Sequence, residues 1–583
     1  MYPVPASASA LVEDDAQFGA LATQLEADLE TDLVKYEIID RATLKEYYGI
    51  LASLALIEGD YDTALAWTDS VRAVEDKPAL KALAGTLERA VAAAAQAPED
   101  EREQVFEDAF REEIAALPYD EVSAELRVRK ARVEMVSPGM MRGSIQALVG
   151  PAAESGEISR ELAAFLVQAK LYFAIIQPVQ ERMRAVLDEV LSARPVEKRD
   201  IWAARDVSLE DRDDLRPVTV AIWDNGTDVE LFDGRLYVND GEIPANDTDD
   251  DGNGYVDDVH GIAHDVWSDR ATGMLMPLTY DEARKAEFER HLKGLSDLRA
   301  GLHSPEAHEL SRVTGSMEPD EFTAFFGGLF EYMVYAHGTH VAGISVAGNP
   351  AARILVARFT FDHRMLPELP TVEGQRAWGR EIRETVSYFR AAEVRVVNVS
   401  WGESVASYET VLEKHNAGAG PAERQDMARR LFDVAAVALR EAIAGAPEIL
   451  FVAGAGNEDE DNRFSEFVPA SFDLPNVITV GAVDRAGDEA AFTSYGKVEV
   501  YANGYEVESY VPGGQTTALS GTSMAAPQVT NLAAKLWAGY PDLTVAEVRQ
   551  AIVDGAEEKT IGEGKVIRLL NPRQTFEIVE AGR

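Results

Sequence analysis

The chain contains no cysteine, which removes disulfides, thiolate catalysis and cysteine metal sites together. It leaves the compartment open, because cysteine-free proteins occur on both sides of a membrane. Positive charge is scarce: 55 Lys and Arg face 101 Asp and Glu, for a net charge of −46. Such a field repels phosphate backbones and anionic lipid, so neither nucleic acid nor a membrane surface is an expected partner. Residues 1–200 hold 37 acids and 21 bases, so the acidity is spread over the whole chain and reads as a solvated surface. Long apolar runs are also missing. None approaches the roughly 18 residues that cross a bilayer, so no segment reads as transmembrane. The opening residues MYPVPASASALVEDDAQF lack the basic region and apolar stretch of a secretory signal.

What is present is material for large cores. Of 583 residues, 46% are hydrophobic and 27% charged, a soluble globular composition long enough for two or more domains. From about Glu13 to Ala193 apolar residues recur every three or four positions, with Gly and Pro mainly between the periodic stretches. That pattern predicts an all-helical N-terminal domain, residues 1–193. Within it, LASLALIEGDYDTALAWTDSVRAVE (51–75) resembles one tetratricopeptide-type hairpin turning at Gly59-Asp60. No second copy follows at a fixed period, so a plain bundle and a short repeat array both remain open. Residues 194–216, with Pro195 and mixed charge, are the expected linker.

From residue 217 to 583 the texture is different. Short Val/Ile-rich runs at 218–223, 353–359, 394–399, 448–453 and 477–482 alternate with helical patterns, as in a buried parallel sheet with crossover helices. An α/β domain follows, with a helical insertion expected over about 280–333.

Three segments in this domain carry chemistry. In VTVAIWDNGTD (218–228) a buried strand ends at Asp224, and open α/β sheets place functional groups at such carboxyl ends. In HGTHVAGISVAGN (337–349) His337 is expected to open a helix, where a strand-end acid could hold its tautomer and let it accept a proton; His340 reads as a packed structural histidine. In SGTSMAAPQVTNLAAKLWAG (520–539) Ser523 stands at a helix start, whose free N–H groups favour an oxyanion. Taken singly, these residues have ordinary explanations: a turn-capping Asp, a packed His, an N-cap Ser.

Together, in the order Asp224, His337, Ser523 and with their flanking residues, the segments resemble the subtilisin-like serine peptidases from about residue 217 onward. The resemblance implies a subtilisin-like parallel-sheet peptidase domain and an Asp-His-Ser triad that hydrolyses polypeptide substrates through an acyl-enzyme. It implies that Asn457, in ILFVAGAGNEDED (449–461), is the oxyanion donor. It also implies that Ser400, Trp401 and Gly402, in VVNVSWGES (396–404), pair with substrate backbone. The competing class is a non-catalytic peptide-binding or scaffold protein that keeps the fold. Family habit is export, while the opening residues show no signal, so the compartment is not decided.

The chain departs from the family pattern in several places. Asn225 follows the Asp where Ser or Thr is usual, and 113 residues separate Asp224 from His337. NDTDDDGNGYVDDVHG (246–261) echoes an EF-hand loop: Asp249, Asp251, Asn253 and Asp257, with Gly254, have the oxygen-ligand spacing, but His260 takes the twelfth position. Calcium, structural in role, is the expected cofactor at these four residues, against a merely solvated acidic turn. The helical N-terminal domain is unlike the family's compact propeptide. It is expected to be either a pro-region released near 194–216 or a lasting domain for a protein partner.

Overall fold

The computed structural model describes all residues except 5–7, 195–197, 301, 303 and 563, so Pro195 of the expected linker lies outside the described residues. The chain divides into two compact units.

The first unit comprises Met1–Lys198, Glu287–Leu329 and Thr410–Gln425. Among its described residues it is helical apart from loops and a two-residue pairing of strand β1 (Tyr2–Pro3) with β2 (Glu157–Ile158). The expected hairpin is present as helices Arg41–Glu58 and Tyr61–Val74. Gly59 breaks the first with φ 80°, and the Asp60 carboxylate caps the second by accepting from Thr63 N at 3.2 Å. One apolar cluster gathers Leu25, Leu29, Ile50, Leu54, Leu166 and Val167, and another Phe106, Phe110, Leu126, Val186 and Leu187. Contrary to expectation, among the described residues one helix, Arg160–Ala193, is long and apolar enough to cross a membrane by length and composition, with an 18-residue window of mean hydropathy 1.5. Isolated Lys and Gln residues keep its apolar runs short while the average stays high. Its apolar residues Leu166, Val167, Val186 and Leu187 are buried in the two clusters.

Two segments from within the expected peptidase domain belong to this helical unit. Ser137 Oγ donates to Thr314 O at 2.7 Å, Ser159 N to the Glu413 carboxylate at 2.6 Å, and Asn416 Nδ2 to Pro151 O at 2.7 Å. The domain boundary at residue 193 is therefore too simple a description. The expected insertion consists of helices Glu282–Ala300 and Pro305–Gly315 and the start of Phe322–Val346, and its residues 287–329 fold with the N-terminal region.

The second unit comprises Arg199–Ala286, Phe330–Glu409 and Asp426–Arg583. Its ten-stranded sheet is built from β3 (Val218–Asp224), β4 (Gly261–His264), β5 (Arg270–Ala271), β6 (Ala352–Arg358), β7 (Val396–Val399), β8 (Leu450–Gly454), β9 (Val477–Val483), β10 (Val500–Asn503), β13 (Glu557–Ile561) and β14 (Lys565–Leu569). The spatial order is β13-β14-β10-β9-β8-β7-β3-β6-β4-β5, parallel except at the two edges, where β13 and β5 run antiparallel to their neighbours. A separate hairpin pairs β11 (Val507–Tyr510) with β12 (Thr516–Leu519). Strands β7, β8 and β9 are buried throughout, as largely apolar runs require when both faces are covered. Helix Thr522–Gly539 presents Ala526, Val529, Leu532, Ala533, Leu536 and Trp537 to this core.

Most of the expected linker is part of the second unit. Ile201 N donates to Arg485 O at 3.0 Å, Trp202 Nε1 to Asp484 O at 3.1 Å and Arg216 N to Ala538 O at 2.9 Å. Asp206 pairs with the buried Lys535 ammonium at 3.3 Å. Leaving that cation unpaired in the interior would be costly, so this stretch is held in place.

Candidate active site

Asp224 ends β3, Ser400 and Asn457 lie just past the carboxyl ends of β7 and β8, and Ser523 stands at the start of the helix Thr522–Gly539. The Asp224 side chain is 1% exposed. His337 Nδ1 lies 2.9 and 3.0 Å from its two oxygens, and Asn225 N donates to Oδ1 at 2.8 Å. The carboxylate therefore sets the tautomer, with the proton on Nδ1 and the lone pair on Nε2. Burial opposes charging of His337, but the Asp224 carboxylate outweighs it, and the pKa lies above the ordinary histidine value.

His337 does not open a helix as the motif suggests. It lies inside Phe322–Val346, because the preceding FTAFFGGLFEYMVYA contains no Pro and continues the helical pattern through the end of the insertion. Gly338 allows the required approach to the β3 turn: a Cβ there would lie 2.2 Å from Gly226 O. His340, fully buried, has Nε2 2.9 Å from Thr517 O of β12. Burial drives its pKa down to about 4, so it is a neutral donor in a packing role. Asn225, the departure from the family pattern, uses its side-chain oxygen to accept from Phe361 N at 2.9 Å and so holds the loop after β6.

Ser523 is the second residue of its helix, where the first-turn N–H groups lack intrahelical partners. Its hydroxyl donates to Ser400 O at 3.1 Å, and Ser400 Oγ donates back to Ser523 O at 3.1 Å. Among the described residues no hydrogen bond joins Ser523 to His337. Asn457 follows β8. Its Oδ1 accepts from Thr522 N at 2.9 Å and Thr522 Oγ1 at 3.2 Å. The amide orientation is thereby set, and Nδ2 is left without a partner among the described residues.

Ser400 is tied to β7 by Asn398 Nδ2 at 2.8 Å. The Trp401 ring packs against Trp223, Phe359 and Trp378, with centroids 5.1, 5.2 and 5.7 Å away. Gly402 lies beside Phe467.

The acidic loop differs from its EF-hand reading. Asp249 and Asp251 come together with Glu242, one carboxylate oxygen from each within 4.8 Å of the others. Asp257 instead accepts from Asn246 N and Asp247 N, both at 3.0 Å, and the Asn253 amide bridges Asp251 and Asp258. Asp257 thus caps the start of the loop. Glu242 is buried, and its Oε1 accepts from Asp250 N and Asp251 N at 2.9 and 3.1 Å, while among the described residues Oε2 has no partner. Hard carboxylate oxygens with one buried oxygen unsatisfied suit a calcium ion. Glu242 lies upstream of the spaced motif, and no local pattern marks it.

Comparison with known proteins places these residues in context. The model of the subtilase family matches residues 330–570, a stretch with His337, Asn457 and Ser523 but not Asp224, which is separated from it by the insertion. A subtilisin of Bacillus pumilus is 31% identical over 222 residues, covering 37% of this chain and 68% of that protein. Subtilisin E of Bacillus subtilis (strain 168) is 30% identical over 222 residues, 37% of this chain; the chain spans about half, 49%, of its length. Among solved structures, a point mutant of the protease domain of PatA aligns over 64% of this chain and 99% of its own at 20% identity and a TM-score of 0.35.

Proposed function

The chain belongs to the subtilase family, and from that premise we propose that it is a serine endopeptidase acting on extended polypeptides through Asp224, His337 and Ser523. The observation that carries the reading is the His337 Nδ1 to Asp224 contact at 2.9 Å. It leaves Nε2 free to act as a base, in a unit where Ser523 stands at a helix start beside Asn457.

In the first step Ser523 Oγ turns from the Ser400 carbonyl, gives its proton to His337 Nε2 and adds to the scissile carbonyl carbon. Asp224 stabilises the resulting imidazolium without taking its proton. The tetrahedral oxyanion accepts from Asn457 Nδ2 and Ser523 N. The intermediate collapses as the imidazolium protonates the departing amine. Water then gives a proton to His337, adds to the acyl carbon and releases Ser523. Substrate backbone lies along Ser400 and Gly402 as an added strand.

Calcium belongs to the same proposal, with Glu242, Asp249 and Asp251 as ligands; bound there, it would offset two of the three carboxylate charges and tie the loop. Chelation is expected to lower the melting temperature by a few degrees, since binding to the folded state at a hundredfold excess over Kd contributes about 2.7 kcal/mol. An unchanged melting temperature on both chelation and calcium addition contradicts it.

Peptide hydrolysis by the full chain and by Ser523→Ala tests the catalytic reading. The expected loss is on the order of a millionfold in kcat. Equal rates contradict Ser523 as the nucleophile, and no hydrolysis by the unaltered chain favours the scaffold alternative.

A further inference from the structure

Resting on the peptidase reading above, we propose that Glu331 is a positioning residue for the reaction: its buried carboxylate joins the helix of His337 to the two chain segments that hold the Asp224 turn, and so fixes the approach of the His337 ring to Asp224.

Both segments start at that turn and end on Glu331, all within the second unit. In the first, Thr227 N donates to Met274 O at 2.9 Å and Leu275 bridges Gly226. Five residues after Met274, Thr279 donates to the Glu331 carboxylate through N at 2.5 Å and through Oγ1 at 2.6 Å. In the second, Phe359 N donates to Asp224 O at 3.1 Å and Phe361 N to Asn225 Oδ1 at 2.9 Å. The Phe361 ring then meets Phe330 with centroids 6.4 Å apart, and His363 Nε2 lies 3.6 Å from Glu331 Oε2. A carboxylate only 4% exposed is costly to bury unless it is satisfied, and here both oxygens are engaged by donors from these segments.

His337 needs such a brace because it lies inside the helix Phe322–Val346 and moves as the helix moves. Glu331 and Gly338 are two turns apart on one stripe, about 10 Å along the axis. Gly338 rests on Gly226 O, but a glycine offers no side chain to hold, and one point of contact lets a rod pivot. The carboxylate supplies the second, directional point. Burial disfavours its charge, yet the His363 ring and the Thr279 donors outweigh burial and hold its pKa below the ordinary carboxylate value.

The test uses the full-length protein, with Glu331→Ala, Glu331→Gln and His363→Ala. Glu331→Ala should lower kcat by about a hundredfold, the scale of a misplacement near 1 Å, with KM little changed because substrate contacts are untouched. Glu331→Gln keeps an oxygen for Thr279 N and should recover most of that loss. His337 faces Asp224 and, along its own helix, the neutral His340. Of these only Asp224 raises its pKa, so loosening the contact should move the acidic limb of the pH–rate profile to lower pH. In the Asp224→Asn background Glu331→Ala should cost less than about threefold, since changes acting through one contact are not additive. Should Glu331→Ala fold poorly, His363→Ala removes one of the two ties and should move the acidic limb in the same direction with a smaller fall in kcat. A limb that no variant moves, or an equal loss with and without the Asp224 carboxylate, overturns this inference alone. Failure of the unaltered chain to hydrolyse any peptide overturns the peptidase reading and this inference with it.

Discussion

In the sheet unit, buried parallel strands and the helix Thr522–Gly539 form one core, and Asp224, Asn457 and Ser523 stand where strands end or that helix begins. The helical unit is assembled from three separated stretches of chain, with Thr314 accepting from Ser137 and Glu413 from Ser159. A parallel sheet places chemistry at its strand ends as a consequence of its topology. A helical unit closed by distant segments is instead tied to the rest of the chain, because its removal would strip residues 287–329 and 410–425 of their partners.

That contrast predicts where substitutions act. The largest effect should follow Asp224→Asn, which leaves the helical unit untouched and lowers kcat by about ten-thousandfold, the scale seen when a triad histidine loses its tautomer control. It should also move the acidic limb of the pH–rate profile. His337 must be neutral to accept a proton, so activity falls as pH drops through its raised pKa. Without the carboxylate, burial alone remains and the midpoint shifts to lower pH. For stability the sign is opposite: the His337–Asp224 contribution is fully present below the unfolded histidine value near 6.5 and is lost as pH rises through the folded one. A profile unmoved by the substitution breaks the assignment.

A smaller effect sharpens the other half of the comparison. When a site-specific protease site is introduced within residues 194–198 and cut, the fragment before the cut should stay bound to the remainder on size exclusion and separate only in denaturant. Its separation in native buffer would restore the released pro-region reading. The smallest expected effect is the few-degree melting shift on chelation, confined to the loop holding Glu242.

The same contrast explains what could be read from the sequence. The buried strands β3, β6, β7, β8 and β9 were legible to within about two residues at each end because burial on both faces leaves short, largely apolar runs rich in Val and Ile. Strands β13 and β14 were not, since β13 is exposed or half-buried at a sheet edge and β14 alternates exposed residues with the buried Ile567 and Leu569. The motif residues Asp224, His337, Asn457 and Ser523 were legible because each carries its flanking sequence. The continuation of the His337 helix back to Phe322 was hidden, because the motif itself begins at the histidine. Glu242 was beyond the motifs, its position depending on contacts with Asp249 and Asp251 made only after folding. For the same reason no local pattern showed that residues 287–329 and 410–425 complete the helical unit.

The central claim is that Ser523 is a nucleophile activated by His337. Its most direct test is to treat the full chain with a fluorophosphonate, digest it and locate the adduct by mass spectrometry. The account predicts one modified peptide carrying the phosphonyl group on Ser523, with labelling abolished in Ser523→Ala and strongly slowed in His337→Ala. An adduct on another residue, or labelling of Ser523 at an unchanged rate without His337, would contradict it.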